Sequence, residues 1–510
     1  MKLPFLALSA LGLAAQAQTA QRPNVIFVLA DDLGYGDLSC YNGEAPTPCI
    51  DQLASQGVRF TNAHAVASTS TPSRYGMLTG CYPFRRPGTD VAAGNAGMII
   101  KPEQYTVADA FHDAGYRTAA FGKWHLGLGS RTAEQDWNGT LDQTPNDLGF
   151  DYHYIMAATA DRVPCVFIEQ GRVKNWDPEA PIEVSYNWGK PFPGEPLGAT
   201  HPELLTKQRH SHGHDMAIVN GIGRIGYMRG GGRALWRDED IPDSLLHYAI
   251  KWMGEQQGEA QQPFFMYFAT NDVHVPRQPH ERFRGKSPMG LRGEAILQFD
   301  WTIGQLCHAL DSLGLAENTI IMVTSDNGPV LDDGYADRAE ELVGTHKPGG
   351  PFRGGKYSAY EAGNVVPFIV SPAKAGTKPG GLRGGVVSNA LVSLIDLPAT
   401  MAQLVGVDVP EGQATDSRQC LPTWFGCSMK PAPYHVSMAA NRSLEVRTQQ
   451  WKYIEPSRGS IGWGPKIESG YSQQPQLYDM SRSDWESHNE AETQPKVLQQ
   501  MQELLKEIRK

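Results

Sequence analysis

Three things are scarce in this chain. Concentrated positive charge is one: the formal net charge is −10 at pH 7 and Lys and Arg nowhere cluster, which excludes nucleic acid as the main partner, since phosphates are held by grouped cations. Long apolar runs are another. The start, Met1-Lys2-Leu3-Pro4-Phe5 to Leu13, is too short to span a bilayer, and no Cys follows it to accept a lipid, so no membrane anchor is expected. Cysteine is the third, with seven in 510 residues at 40, 49, 81, 165, 307, 420 and 427. None has zinc-ligand spacing, and an odd number leaves a thiol free unless a second chain pairs with it. Cys420 and Cys427 are near enough to bridge, or are two more free thiols of a large core.

What the start does offer is a charged end, an apolar stretch and the small-residue site Ala15-Gln16-Ala17. That predicts a signal peptide over 1–17 and a mature protein exported, to the periplasm in a bacterium with an outer membrane.

Beyond it, apolar runs recur at Asn24–Ala30, Arg117–Phe121, Phe264–Ala269, Thr319–Thr324 and Val365–Val370, with helical patterns such as Thr106–Ala114 and Asp243–Glu255 between them. This alternation predicts an α/β fold: a large mixed, mostly parallel sheet sandwiched by helices. After the Pro-containing stretch 422–433 come short strand-like segments, Ser443–Thr448 and Trp451–Glu455, and an amphipathic helix from Pro495 to Ile508. The expected division is a catalytic domain over 18–430 and a smaller antiparallel-sheet subdomain with one helix over 431–510. The segments 175–200 and 221–232, rich in Pro or Gly, read as excursions of the first domain.

Chemistry gathers where the strands end. Asp31-Asp32 follows the first strand and Asp326-Asn327 another, at the sheet edge where open α/β proteins place their sites. Three carboxylates and an amide carbonyl form an oxygen set suited to Ca²⁺ or Mg²⁺ and ill suited to zinc. Such crowding is costly without a cation. Lys123 and His125, in Gly122-Lys123-Trp124-His125-Leu126-Gly127, share a face if the chain is extended, and an imidazole titrating near neutrality suits proton transfer. Ser70 precedes Thr71 and Pro72, good residues for the N-cap and first position of a helix. It is thus expected at a helix N-terminus, which favours a bound anion, with Arg74 one turn on along the same side.

Residues 70–80, Ser-Thr-Pro-Ser-Arg-Tyr-Gly-Met-Leu-Thr-Gly, match the type I sulfatase signature at Ser70, Pro72, Ser73, Arg74, Leu78, Thr79 and Gly80. Gly122–Gly127, the His-x-Pro of Asp272-Val273-His274-Val275-Pro276, and Gly354-Gly355-Lys356 with Tyr360-Glu361-Ala362-Gly363 are similar to further segments of that family, with Ala362 replacing a usual Gly. The chain therefore resembles the formylglycine-dependent sulfatases of the alkaline-phosphatase-like superfamily, and among them exported serine-type bacterial carbohydrate sulfatases. The resemblance implies that a serine-type maturation enzyme oxidises Ser70 to formylglycine, whose hydrate attacks sulfur. It implies Asp31, Asp32, Ser70, Asp326 and Asn327 around the metal. Arg74 and Lys123 hold the hydrate, His125 takes the proton that lets the intermediate collapse, and His274 and Lys356 serve sulfate and the leaving oxygen.

Substrate choice falls between the motifs. Asp161, Arg162, His212 and Asp333 are the candidate sugar contacts, with His210, His214, Asp215, Asp332 and His346 as polar neighbours. The resemblance points to a sulfated galactose or N-acetylgalactosamine of mucin or glycosaminoglycan, 6-O-sulfated. Two other readings stay open here: a phosphomonoester or phosphonate hydrolase of the same superfamily, and a glycan-binding pseudo-sulfatase with Ser70 unconverted.

Overall fold

The structure, a computed structural model, describes residues 22–131, 134–255, 262–461 and 466–510; the expected signal peptide lies outside them. Ten strands form the large sheet: β1 (Asn24–Ala30), β2 (Val58–Phe60), β3 (Arg117–Lys123), β4 (Tyr152–Met156), β5 (Phe167–Glu169), β6 (Arg172–Val173), β7 (Phe264–Ala269), β8 (Thr319–Ser325), β9 (Phe368–Pro372) and β10 (Val386–Ser388). Their spatial order is β10-β2-β9-β8-β1-β7-β3-β4-β5-β6. The central five, β8 to β4, run parallel, and antiparallel strands join them on either side through β9 and β5. Every residue of β1, β7 and β8 is buried, which is why these segments read as unbroken apolar runs rather than alternating ones.

The fifth apolar run is displaced from its expected position. The strand occupies Phe368–Pro372 rather than Val365–Val370, because Pro367 has no N–H to give a ladder and the chain before it is held in turns. Helices α1 (Ser70–Thr79), α2 (Ile241–Glu255), α3 (Gly290–Ser312) and α4 (Leu397–Val405) flank the strands. A separate antiparallel sheet of β11 (His435–Met438), β12 (Leu444–Arg447), β13 (Trp451–Ile454) and β14 (Gln476–Asp479) follows, and α5 (Pro495–Ile508) packs on β13. Of its four strands the patterning showed two.

The excursions pair as short ribbons, Glu183–Ser185 with Tyr227–Arg229 and Ile218–Val219 with Ile222–Gly223. All seven cysteines are free thiols, Cys420 and Cys427 included.

Candidate active site

Parallel strands that end level with one another bring their following residues together, and β1, β3, β7 and β8 all end at one edge of the sheet. Asp31 and Asp32 leave β1, Lys123 ends β3, and Asp326 and Asn327 leave β8. These side chains are entirely buried. Asp32 and His125 hold left-handed backbone, at φ 58° and 56°. The extended path expected through Lys123 and His125 is therefore broken, and the turn brings His125 to the site by another route. Gly122, at φ 87°, is needed as glycine: a Cβ there would lie 1.8 Å from the Ala269 carbonyl oxygen.

α1 supplies Ser70 and Arg74. Its N-cap is Thr69 and Ser70 is its first residue, so the helix starts earlier than Thr71 as cap would have it. Pro72 is tolerated in that first turn because N–H groups there have no intrahelical acceptor. Lys123 Nζ donates to both oxygens of Asp31 (2.6 and 2.7 Å) and to Ser70 Oγ (2.9 Å). Arg74 Nε donates to Asp326 Oδ2 at 2.9 Å, and its Nη1 to the Lys123 carbonyl at 3.0 Å. Ser70 Oγ stands 3.4 Å from Asn327 Oδ1, while Asn327 Nδ2 donates to Asp32 Oδ1 at 2.8 Å. On the far side, Lys356 Nζ donates to Asp32 Oδ2 and Asp333 Oδ2, both at 2.8 Å, and to His274 Nε2 at 3.2 Å.

Four carboxylates thus face three cations, Arg74, Lys123 and Lys356, a balance that repels an anionic ester and that one divalent ion reverses. Burial pushes the Asp31 carboxyl up, opposed by Lys123 and reinforced by Asp326 and Asp32. Asp31, Asp32 and His274 also present atoms within 4.8 Å of one another. His274 Nε2, however, has a single lone pair and turns it to the Lys356 ammonium, whereas each carboxylate oxygen keeps a further lone pair beyond its contact with Lys123, Lys356 or Asn327, so the donors left for a hard cation are oxygens, and the set fits Ca²⁺ or Mg²⁺.

The sulfatase family model matches residues 23–407. The chain belongs to the sulfatase family. It is 48% identical over 500 residues to an N-acetylgalactosamine-6-O-sulfatase of Bacteroides thetaiotaomicron, covering 96% of this chain and 94% of that protein. It is 29% identical over 518 residues to human arylsulfatase A, covering 97% and 89%. A solved structure from work on the metabolism of multiple glycosaminoglycans by B. thetaiotaomicron superposes with a TM-score of 0.91 at 47% identity, over 96% of this chain and 99% of that one. Of the readings left open by the sequence, hydrolysis of sulfate esters is the one that stands.

In this sulfatase the two histidines are set in fixed tautomers. His125 Nε2 lies 3.0 Å from the Ala92 carbonyl and must carry the proton, which leaves Nδ1 bare, buried and without a partner. His274 Nδ1 lies 2.6 Å from the Val275 carbonyl, so its Nε2 is the accepting nitrogen toward Lys356. Burial and then neighbouring lysines (Lys123 for His125, Lys356 for His274) hold both imidazoles well below their ordinary value of 6.5. The near-neutral titration expected of His125 gives way to a neutral ring.

A cavity of about 720 Å³ opens over Ser70, His125, His274 and Lys356, and its wall carries Asp161, Arg162, His212 and Asp333. All four sequence-named sugar contacts are thus together. His214, on the same wall, lies 3.0 Å through Nε2 from Asp161 Oδ2. His346 is elsewhere, 2.8 Å from Asp37, which Arg292 also holds. Two supports went unread in the sequence: Tyr357, whose hydroxyl donates to Asp333 at 2.8 Å, and Thr159, 3.2 Å from His274 Nδ1. Only the adjacency of Tyr357 to Lys356 could have hinted at the first. Among the described residues no helix is long and apolar enough to cross a membrane.

Proposed function

We propose that this sulfatase removes the 6-O-sulfate of N-acetylgalactosamine in a sulfated glycan, in an exported compartment. The observation that carries the reading is the sugar-sized cavity over Ser70, walled by the Asp161–Arg162 pair, His212 and His214; the activity named for the 48% identical relative supports the position and the sugar. Paired polar groups of this kind match hydroxyls, since a sugar lacking one leaves them unsatisfied.

Residue 70, once oxidised to formylglycine, would supply the attacking oxygen as a hydrated aldehyde, and its second hydroxyl is what lets sulfate leave again. Asp31, Asp32, Asp326 and Asn327 would hold a Ca²⁺ or Mg²⁺ that polarises sulfate. The chain's own side chains do the rest. Lys123 orients the oxygen of residue 70 and is itself fixed by Asp31. Arg74 pins Asp326 and offsets its charge. His125, in the cavity wall, accepts a proton from residue 70 at its bare Nδ1. Lys356, held by Asp32 and Asp333, stabilises charge on sulfate and hands a proton from Nζ to the departing sugar oxygen, while the bare Nε2 of His274 holds that ammonium in place.

The test is sulfate release from a panel of monosulfated galactose and N-acetylgalactosamine isomers by protein matured with a serine-type oxidising enzyme. Release from the 6-O-sulfated N-acetylgalactosamine alone is expected; release from a different ring position would replace the substrate. A residue-70 peptide lighter by two hydrogen atoms accompanies activity, and an unmodified serine would return the pseudo-sulfatase reading.

A further inference from the structure

Val91 and Trp188 are exposed at 44% and 60%, and both line the cavity over Ser70. Other exposed large hydrophobics, among them Trp176 and Met429, do not. Trp176 is tied down, its indole N–H donating to Asn138 Oδ1 at 3.0 Å. Trp188 is presented differently. The residues around it are anchored, with Tyr186 Oη donating to the Val163 carbonyl at 2.6 Å and the Gly189 N–H donating to Tyr227 Oη at 3.1 Å, while the indole stands free in an edge-on contact with Tyr186. An anchored loop holding an aromatic ring toward solvent, at the mouth of a site for a polar ligand, keeps apolar area uncovered until something flat and partly apolar arrives.

From this we infer that Trp188, with Val91 in the same cavity wall, is the stacking platform for the sugar that follows the sulfated residue in the glycan. The inference rests on the sulfated-glycan reading above. The occupant follows from the shape of the cavity's lining. The charged and hydrogen-bonding groups of the lining, Ser70, His125, Asp161, His274 and Lys356, are buried and hold the sulfated ring, and the two solvent-exposed apolar residues are left for the sugar that emerges from it. A pyranose has one face of C–H bonds that an indole covers, while its hydroxyls stay in water and within reach of the indole N–H. The enzyme thereby reads chain length, and an oligosaccharide bearing the sulfated sugar at its end is a better substrate than the free monosaccharide.

The experiment compares kcat/KM for 6-O-sulfated N-acetylgalactosamine and for an oligosaccharide ending in it, in wild type, Trp188→Ala and Trp188→Phe. The preference for the oligosaccharide should fall by about tenfold in Trp188→Ala, mainly through KM, and return in large part in Trp188→Phe. An unchanged preference overturns the platform, as does an equal loss on both substrates, which would make Trp188 a contact of the sulfated ring itself. Wild-type turnover of the monosaccharide tests the substrate reading separately. If wild type cleaves neither sugar, calorimetric titration of Ser70→Ala protein with the oligosaccharide, with and without Trp188→Ala, decides: equal affinities overturn the platform, and a tenfold difference upholds it.

Discussion

Lys356 and Glu361 stand within one loop yet serve two buried charge clusters. Around Lys356 lie Asp32, Asp333 and the Ser70 assembly already described. Around Glu361, between the large sheet and the small one, Lys452 Nζ lies 3.1 Å from Glu361, 2.9 Å from Glu486 and against Glu445, with Arg447 3.6 Å from Glu361. Both clusters are buried and both hold more acid than base. The first is built of short Asp side chains on strand ends, and Ser70, His125 and Lys356 line a cavity. In the second, long Glu side chains converge on a lysine that is wholly buried, and no nucleophile stands among them. Buried charge by itself therefore does not mark a catalytic site. What marks it is charge placed by rigid backbone beside a reactive atom, since Glu361 and Arg447 of the second cluster also line a cavity, of about 450 Å³.

Substitutions that break the two clusters should separate these roles. Asp326→Ala, which removes the carboxylate that pairs buried Arg74, is expected to lower sulfate release by about a thousandfold or more per folded molecule, well beyond what its lowered stability accounts for; activity near wild type would remove Asp326 from the site. Lys452→Met leaves Glu445 and Glu486 without their cation and Glu361 with Arg447 alone, and should cost about 3–5 kcal/mol in denaturant unfolding, while the folded fraction keeps its KM. A loss below about 1 kcal/mol, within the range of a surface ion pair, would mean that the second cluster is not structural. His125→Ala should reduce kcat by about a hundredfold with a smaller effect on KM, and a pure KM effect would reassign His125 to binding.

The last effect is in pH. Burial, opposed by Lys452, pushes the Glu445 carboxyl up to about 8 from an ordinary 4.5. A group raised in this way binds its proton more tightly when folded, so its stabilisation is complete below about pH 4.5 and is lost as pH rises through about 8. The melting temperature should fall from pH 5 to 8, and Glu445→Gln should flatten that decline. An unchanged slope in the variant would show that Glu445 is ionised throughout.

The large sheet was legible because full burial leaves a local trace, an apolar run closed by Asp, so Asn24–Ala30 with Asp31-Asp32 and Thr319–Ser325 with Asp326-Asn327 could be read almost to the residue. The site followed, since strand ends on one edge must meet. What could not be read depends on loops without periodicity. Nothing near Thr159 says that it will support His274, and the Asp161–His214 contact joins residues far apart through ribbons two or three residues long. Glu361 sat inside a quoted motif, but its role appears only when Lys452, Glu445 and Glu486 arrive from the small sheet. The neutral state of His125 was equally hidden, because it comes from burial and from Lys123.

Every residue of α1, from Ser70 to Thr79, is buried, so under the proposed reading the order of events matters. An enzyme that oxidises Ser70 needs its Cβ within reach of its own catalytic centre, and the finished fold sets Ser70 in the wall of the cavity shared with His125, His274 and Lys356. A chain still nascent or in transit offers that carbon without the obstruction, and a molecule that collapses before conversion keeps a plain hydroxyl where the proposed mechanism asks for a hydrated aldehyde.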